Sequence, residues 1–369
     1  MNRIPKKRGL GVLIAVSALA AAFMLLLPGV SGGKTVKAGA QAKVYKFVLS
    51  NNFLGNDWRP QMERLAQLTA KLPPFKGRIT LQIVNSQTTT EAQIADLNNI
   101  VSSKPDVLLI DAGSPTALNP TVKRACAAGI KVISFDQPVT EPCAWRVYQD
   151  HGIGQRAIGQ WMAKILHNAG GVFVDRGLPG APISAIIHDN FLKGLKKYGP
   201  NVKVLAEYDG KYSIGPEQQA VSALLAGHPD VAGVHTQGYC TPIFNAFRQA
   251  GKKLVPCTAY GYNGELVACV KQKAACAILS GAPTVVQIAM KLGLDAMNGK
   301  PVAPKSKTVP VPWTLYLSGP TVALQNAGGD VQKIVLGKNA FSTLAPGLAI
   351  PYTLPQYKIT AAQAAAKRG

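Results

Sequence analysis

The sequence predicts an α/β protein built as two similar lobes in tandem, each with a parallel sheet. Three observations carry this. From residue 45 onward, short apolar runs alternate with amphipathic helical stretches. The same rhythm restarts near residue 172. Polar side chains gather just after the apolar runs, at the sheet edge where open parallel sheets hold their ligands. Strands that alternate with helices pair in parallel through right-handed crossovers.

In the first half, strands are expected at 46–49, 80–84, 107–110 and 131–135. Met62, Leu65, Leu68 and Leu72 lie at helical spacing, as do Ile94, Leu97, Ile100 and Val101. Gly129 in "AAGI" is a helix stop before the next strand. The second half predicts strands at 172–175, 202–207, 231–236, 254–258 and 276–279. Its helices are expected at 183–197, 216–226, 242–250, 264–272 and 283–298. "GKPVAPKSKTVPVP" (299–312) reads as a Pro-rich connector whose Lys300, Lys305 and Lys307 make a solvated loop. The tail "ITAAQAAAKRG" has the composition of a frayed surface helix.

The chain has 369 residues, enough for two cores, and a formal charge of +22. The first 42 residues hold six Lys/Arg and no acid, so residues 43–369 carry 34 basic against 18 acidic side chains. These basic residues are scattered. With no recognition helix, zinc finger or RNA motif, they read as a basic solvated surface rather than a nucleic-acid interface. "MNRIPKKRGLGVLIAVSALAAAFMLLLPGV" reads as a secretory signal, with Arg3, Lys6, Lys7 and Arg8 before the apolar run. "AGAQA" (38–42) offers small-residue cleavage sites, so 1–42 is assigned as signal peptide; an uncleaved anchor is the alternative. No Cys follows the run, which argues against a lipoprotein anchor. The mature protein is expected to be soluble and exported.

Six cysteines, Cys126, Cys143, Cys240, Cys257, Cys269 and Cys276, fit an oxidising compartment. Their spacings match no zinc pattern, and no metal is expected. Sequence alone does not choose among the pairings; joining neighbours is the simplest. "SGGKT" (31–35) lacks the earlier glycine of a phosphate loop, since Pro28 stands there. No G-x-G-x-x-G supports a dinucleotide cofactor, and no G-x-S-x-G elbow is present. His151, His167, His188, His228 and His235 show no ligand spacing and read as surface or core histidines. No catalytic residue and no cofactor are predicted.

What remains is a constellation of amides, carboxylates, one arginine and aromatic rings at strand ends. The clusters are 51–59, 111–114, 136–137, 209–213, 237–239 and 260–263. Sugars need such residues. A buried hydroxyl left unpaired costs about 1–3 kcal/mol, charged partners give the strongest bonds, and Tyr or Trp cover the C–H faces.

Five stretches resemble the type I periplasmic binding proteins of sugar ABC transporters, the ribose-binding family, over roughly residues 44–318. They are "VLSNNFLGNDWR", "NSQTTTEAQIADLNNIVSSKPDVLLIDAGSPTAL", "AGIKVISFDQP", "QDHGIGQRAIGQWMAKIL" and "LLAGHPDVAGVHTQG". Their order and spacing are more specific than any one of them. The resemblance implies two Rossmann-like lobes joined by a three-strand hinge, with crossings near 149–150, 280–281 and 310–313. It implies an N-terminal lobe of 43–150 completed by 281–312, a C-terminal lobe of 151–280 completed by 313–330, and a C-terminal extension over 331–369.

Carried over position by position, the resemblance places Asn56 and Trp58 on the first ligand turn, with Arg59 beside them. Asp111 falls where a ligand amide often stands, and Asp136 on the acid that takes sugar hydroxyls. Gln137 stands where many members have Arg. Tyr212 falls on the stacking aromatic of the second lobe, and Gln237 to Tyr239 on its asparagine or aspartate turn. The second-lobe arginine would fall near 187–188 and is missing; the late aspartate would fall near Gly261, with Asn263 close by. Tyr239, Tyr260 and Tyr262 can replace the missing charges. The implied function is capture of a monosaccharide or related polyol in the periplasm and its delivery, by a monomer, to an ABC transporter permease in the inner membrane. A sensory binding protein or a secreted α/β enzyme are the alternatives.

Overall fold

The computed structural model describes residues 43–300, 306–322, 324, 330–334 and 343–365. The expected signal peptide lies outside the described residues. The chain first builds β1 (Tyr45–Asn51), α1 (Trp58–Ala70), β2 (Ile79–Asn85), α2 (Thr90–Ser102), β3 (Val107–Asp111), α3 (Asn119–Ala127), β4 (Lys131–Phe135) and β5 (Trp145–Tyr148). It crosses into α4 (His151–Ile165), β6 (Gly171–Asp175), α5 (Pro182–Tyr198), β7 (Lys203–Tyr208), α6 (Ile214–Gly227), β8 (Gly233–His235), α7 (Cys240–Gln249), β9 (Cys257–Tyr260), α8 (Asn263–Gln272) and β10 (Cys276–Ser280). It returns for α9 (Val285–Met297) and β11 (Thr308–Pro310), then crosses again to β12 (Thr314–Leu317) and β13 (Asp330–Lys333). A short α10 (Ala361–Ala365) follows.

The first sheet runs β11-β5-β4-β3-β1-β2, and the second β13-β12-β10-β9-β8-β6-β7. Every pair is parallel except β12 on β10. The expected two-lobe α/β architecture with three crossings is therefore present. The crossings are stitched together: Gln149 Nε2 donates to the Pro312 carbonyl at 3.0 Å, and Trp313 Nε1 to the Asp150 carbonyl at 2.9 Å.

Parallel strands covered on both faces read as unbroken apolar runs, and β3 (VLLID) is buried throughout. Alternation still sorts the two layers. Phe47, Leu49, Leu109 and Ile133 pack with Met62, Leu65, Val286 and Met290 from α1 and α9. Val48, Leu108, Ile110 and Val132 pack with Leu97, Ile100, Val122 and Ala125 from α2 and α3. The disulfides are Cys126–Cys143, Cys240–Cys257 and Cys269–Cys276, the neighbour pairing. The last two tie α7 to β9 and α8 to β10. No described helix is long and apolar enough to cross a membrane.

Two differences from the sequence reading affect the site. The "connector" at 299–312 contains β11, which pairs with β5 at the edge of the first sheet. The described part of the tail is docked on the first lobe. Ala364 on α10 is buried, as are Tyr357 and Ile359, and Arg64 Nε on α1 donates to the Gln363 carbonyl at 3.2 Å. Before α10, the segment 344–350 runs as a strap between the lobes. On the first-lobe side, Gln61 bonds Ala349 twice, donating to its carbonyl at 3.0 Å and accepting from its amide at 2.7 Å. On the second-lobe side, Asn263 N donates to Leu348 O at 2.9 Å, and Ile350 N to Gly261 O at 2.9 Å.

Candidate functional site

The C-terminal strand edges of both sheets border a cavity of about 270 Å³. It lies at the positions where strand order reverses, beside β1 and β3 in one sheet and β6 and β8 in the other. Asn56, Trp58, Arg59, Asp136 and Gln137 line it from the first lobe, and Tyr212, Gln237, Tyr239, Tyr260 and Tyr262 from the second.

The turn before α1 positions three of these residues. Asn56 Oδ1 accepts the Arg59 backbone N–H at 3.1 Å, holding the first turn of α1, and the residue lines the cavity. Trp58 is buried, and its indole N–H donates to the Gly281 carbonyl at the second crossing. The Arg59 guanidinium lies 5.1 Å from the Trp58 ring centre.

Arg59 is 3% exposed, and both of its Nη groups are engaged within the protein. Nη1 pairs with Asp111 and also donates to Asn51 Oδ1 at 3.2 Å; Nη2 lies 3.4 Å from Asp136 Oδ2. With its amide turned to satisfy both neighbours, Gln137 accepts from Nη2 at 2.6 Å and donates to the Ala112 carbonyl at 3.2 Å. Burial pushes the guanidinium pKa down, while Asp136 and then the nearby tyrosines hold it up. Two carboxylates for one guanidinium leave this wall without free positive charge. Asp136 sits in the left-handed region (φ 57°) at the end of β4, which turns its carboxylate to the cleft edge.

The second-lobe wall is organised by buried acids. Asp175 at the end of β6 accepts from the backbone N–H of Gly177 and Gly210, each at 2.7 Å, and of Gln237 at 3.0 Å. Burial raises its pKa, and those three bonds oppose the rise. Glu217 accepts from Thr236 Oγ1 at 2.6 Å and from the Tyr239 amide at 3.3 Å. These bonds draw three loops together. Tyr212 adopts φ 52°, rare for an aromatic residue, and its hydroxyl meets Ser184 Oγ and Gln237 Oε1, each at 2.8 Å. Tyr239 and Tyr262 stack with ring centres 5.1 Å apart. Burial raises the pKa of Tyr212, Tyr239, Tyr260 and Tyr262, so all four phenols stay protonated donors.

Two predicted residues do not line the cavity. Asp111 is fully buried beneath Arg59 as its counter-ion. Asn263 is 1% exposed, and its Nδ2 donates to the Leu344 carbonyl at 2.9 Å, so it anchors the strap. Arg59 pairs with Asp111 and Asp136. Conversely, Asn52, Phe53, Thr88, Thr90 and His151 line the cavity without having been singled out as site residues. Asn52 and Phe53 stand inside the polar cluster that follows β1, and that position was the available signal. His151 carried none, because a single histidine has no spacing to read.

A two-lobed α/β clamp with a polar, aromatic cavity between its sheets is the architecture of a solute-binding protein. The chain belongs to the periplasmic binding protein domain family, whose model matches residues 47–301. It is 23% identical over 280 residues to the ribose import binding protein RbsB of Bacillus subtilis, covering 74% of this chain and 87% of that protein. It is 25% identical to RbsB of Escherichia coli over 243 residues, 65% of this chain and 79% of the other. An ABC transporter solute binding protein from Thermobispora bispora superposes with a TM-score of 0.65 at 25% identity, over 84% of this chain and 92% of the other. A periplasmic solute binding protein from Actinobacillus succinogenes with bound D-allose gives 0.64 at 19% identity, over 73% and 96%.

Proposed function

We propose that this protein captures a neutral monosaccharide or related polyol between its lobes and hands it, as a monomer, to an ABC transporter permease in the inner membrane. The observation that carries the reading is the cavity itself, where amide, carboxylate and phenol groups from both lobes surround one volume flanked by Trp58, Tyr239 and Tyr262. Neutral donors and acceptors match hydroxyls, and the rings match C–H faces. Arg59 is already shared by Asp111 and Asp136, so the site has no spare cation for a sugar acid. Membership of a solute-binding family supports binding without turnover. The relatives named for ribose import and the neighbour holding D-allose support the sugar class. The periplasm is the proposed compartment, reached through the signal peptide; three disulfides agree with it.

The test is a thermal-shift screen of pentoses, hexoses, sugar acids and polyols, followed by calorimetry. A ligand that binds only the folded state raises Tm. One or more neutral sugars should raise it by several degrees, and sugar acids should leave it unchanged. A shift confined to sugar acids would overturn the neutral-ligand reading, and a flat screen would overturn sugar capture.

A further inference from the structure

His151 opens α4 immediately after the first crossing and lines the cavity. It is 2% exposed, yet neither Nδ1 nor Nε2 has a hydrogen-bond partner. Its ring is fixed from behind. Trp313 meets it edge-on with centres 4.8 Å apart, and the Trp313 indole is itself held by the Asp150 carbonyl at 2.9 Å. Asp150 caps α4 by accepting from Ile153 N at 3.0 Å, which sets the direction in which residue 151 leaves the helix. A buried imidazole with two idle nitrogens is costly unless something pairs with it. Burial lowers its pKa, with Asp136 and Asp150 pulling the other way, so the ring is neutral at pH 7. A neutral imidazole carries one N–H donor and one bare acceptor nitrogen.

We propose that His151 is a ligand-contacting residue at the hinge end of the cavity, its imidazole pairing with a hydroxyl of a neutral polyhydroxylated ligand. A hydroxyl both donates and accepts, so it suits either tautomer. An ammonium ligand could use only the bare nitrogen, and a carboxylate only the N–H. This assignment rests on the sugar-capture reading above, and it adds a specificity residue beside the interlobe hinge. An analogue lacking that hydroxyl would leave the imidazole unpaired, so the ligand should be sensitive to deoxygenation at one position.

The experiment uses full-length mature protein with ¹⁵N-labelled histidine. His151→Asn assigns the ring signals, and D-ribose, D-allose and D-arabinose are the probes. Where calorimetry shows a probe binding, the His151 ring signals should shift on saturation. His151→Phe, which keeps the ring volume, should weaken that probe at least tenfold with little change in ligand-free Tm, and His151→Asn should recover part of the loss. Unmoved ring signals, with wild-type affinity in His151→Phe, would overturn the role of His151 while leaving sugar capture intact. If no probe binds, capture of these sugars fails, and the free protein decides the histidine. A neutral ring sampling both tautomers supports nitrogens that have no partner in the free protein. A single locked tautomer means a partner within the protein and overturns the proposal.

Discussion

Arg59 illustrates how one side chain in the cavity wall can hold several others in place. Its guanidinium is buried between Asp111 and Asp136, with Asn51 and Gln137 completing the shell. Removing one member of a buried ion pair costs about 3–5 kcal/mol, because the remaining charge is left uncompensated. Arg59→Met should therefore lose about that much stability in chemical denaturation. Adding Asp111→Asn should recover most of it. A loss below about 1 kcal/mol for the single variant would contradict the pairing. Asp136 lies at the cleft edge, 13% exposed, and Arg59 keeps its bond to Asp111 if Asp136 is neutralised. Asp136→Asn should leave the ligand-free Tm within a few degrees. It should weaken the sugar selected in the thermal screen by about ten- to a hundredfold, the loss of roughly one charged hydrogen bond. Unchanged calorimetric affinity would remove Asp136 from the site.

At the scale of elements, the strands that precede helices were legible, while the edge strands β5, β11, β12 and β13 and the helix α4 were not. β1, β3 and β4 are short apolar runs bounded by polar clusters, which period and length suffice to read. α4 carries Gly152, Gly154 and Gly159, and each glycine lowers helix propensity by about 1 kcal/mol relative to alanine. The reason for them is tertiary. A β-carbon on Gly159 would come within 2.4 Å of the Phe191 carbonyl oxygen, and one on Gly194 within 2.3 Å of that of Arg156. The two helices touch backbone to backbone, which no local pattern announces. The strap was illegible for a similar reason: its bonds to Gln61, Gly261 and Asn263 span hundreds of residues or a lobe boundary. Asn263 was read as a ligand residue because it follows a strand end, as many cavity-lining residues do. Ending the chain at Ser342 would remove buried Leu348, Ile350, Tyr357 and Ile359. At about 1.5–3 kcal/mol per large apolar side chain, Tm should fall by about 10 °C or more. A truncated protein that melts with the full chain would show the strap to be dispensable.

At the scale of the whole molecule, buried titratable groups shape the response to acid. His235 is enclosed in the second lobe, stacked on Phe191 at 3.8 Å and bonded to Thr258 Oγ1 at 2.7 Å. Burial, then the charge of His188, pushes its pKa down to about 3. An unfolded histidine titrates near about 6.5. Between these values the unfolded chain binds the extra proton. The stability contribution is complete above pH 6.5 and is lost as pH falls toward 3, at up to about 1.4 kcal/mol per pH unit. Glu217 acts in the opposite sense: burial raises its pKa, so the cost of ionising it grows as pH rises above the unfolded carboxylate value. Urea titrations of wild type and His235→Asn at pH 7, 6 and 5 separate the two. The variant should be flatter between pH 6 and 5 by about 1 kcal/mol. Identical slopes would mean that the ring reaches water in the native state.

The docking of the tail also decides how this molecule can be instrumented. Lys43 leads into β1, and α10 rests against α1, so both anchor on the first lobe. Fluorophores attached at Lys43 and at Ala365 would travel together in any swing of the second lobe. Their energy transfer should stay constant during a closure that scattering detects. A donor moved to the turn between α6 and β8, beside Pro229, would ride the second lobe and convert the same ligand-driven motion into a signal. A large change from the Lys43–Ala365 pair would mean instead that α10 leaves α1 when ligand binds, making the tail a moving part of the clamp.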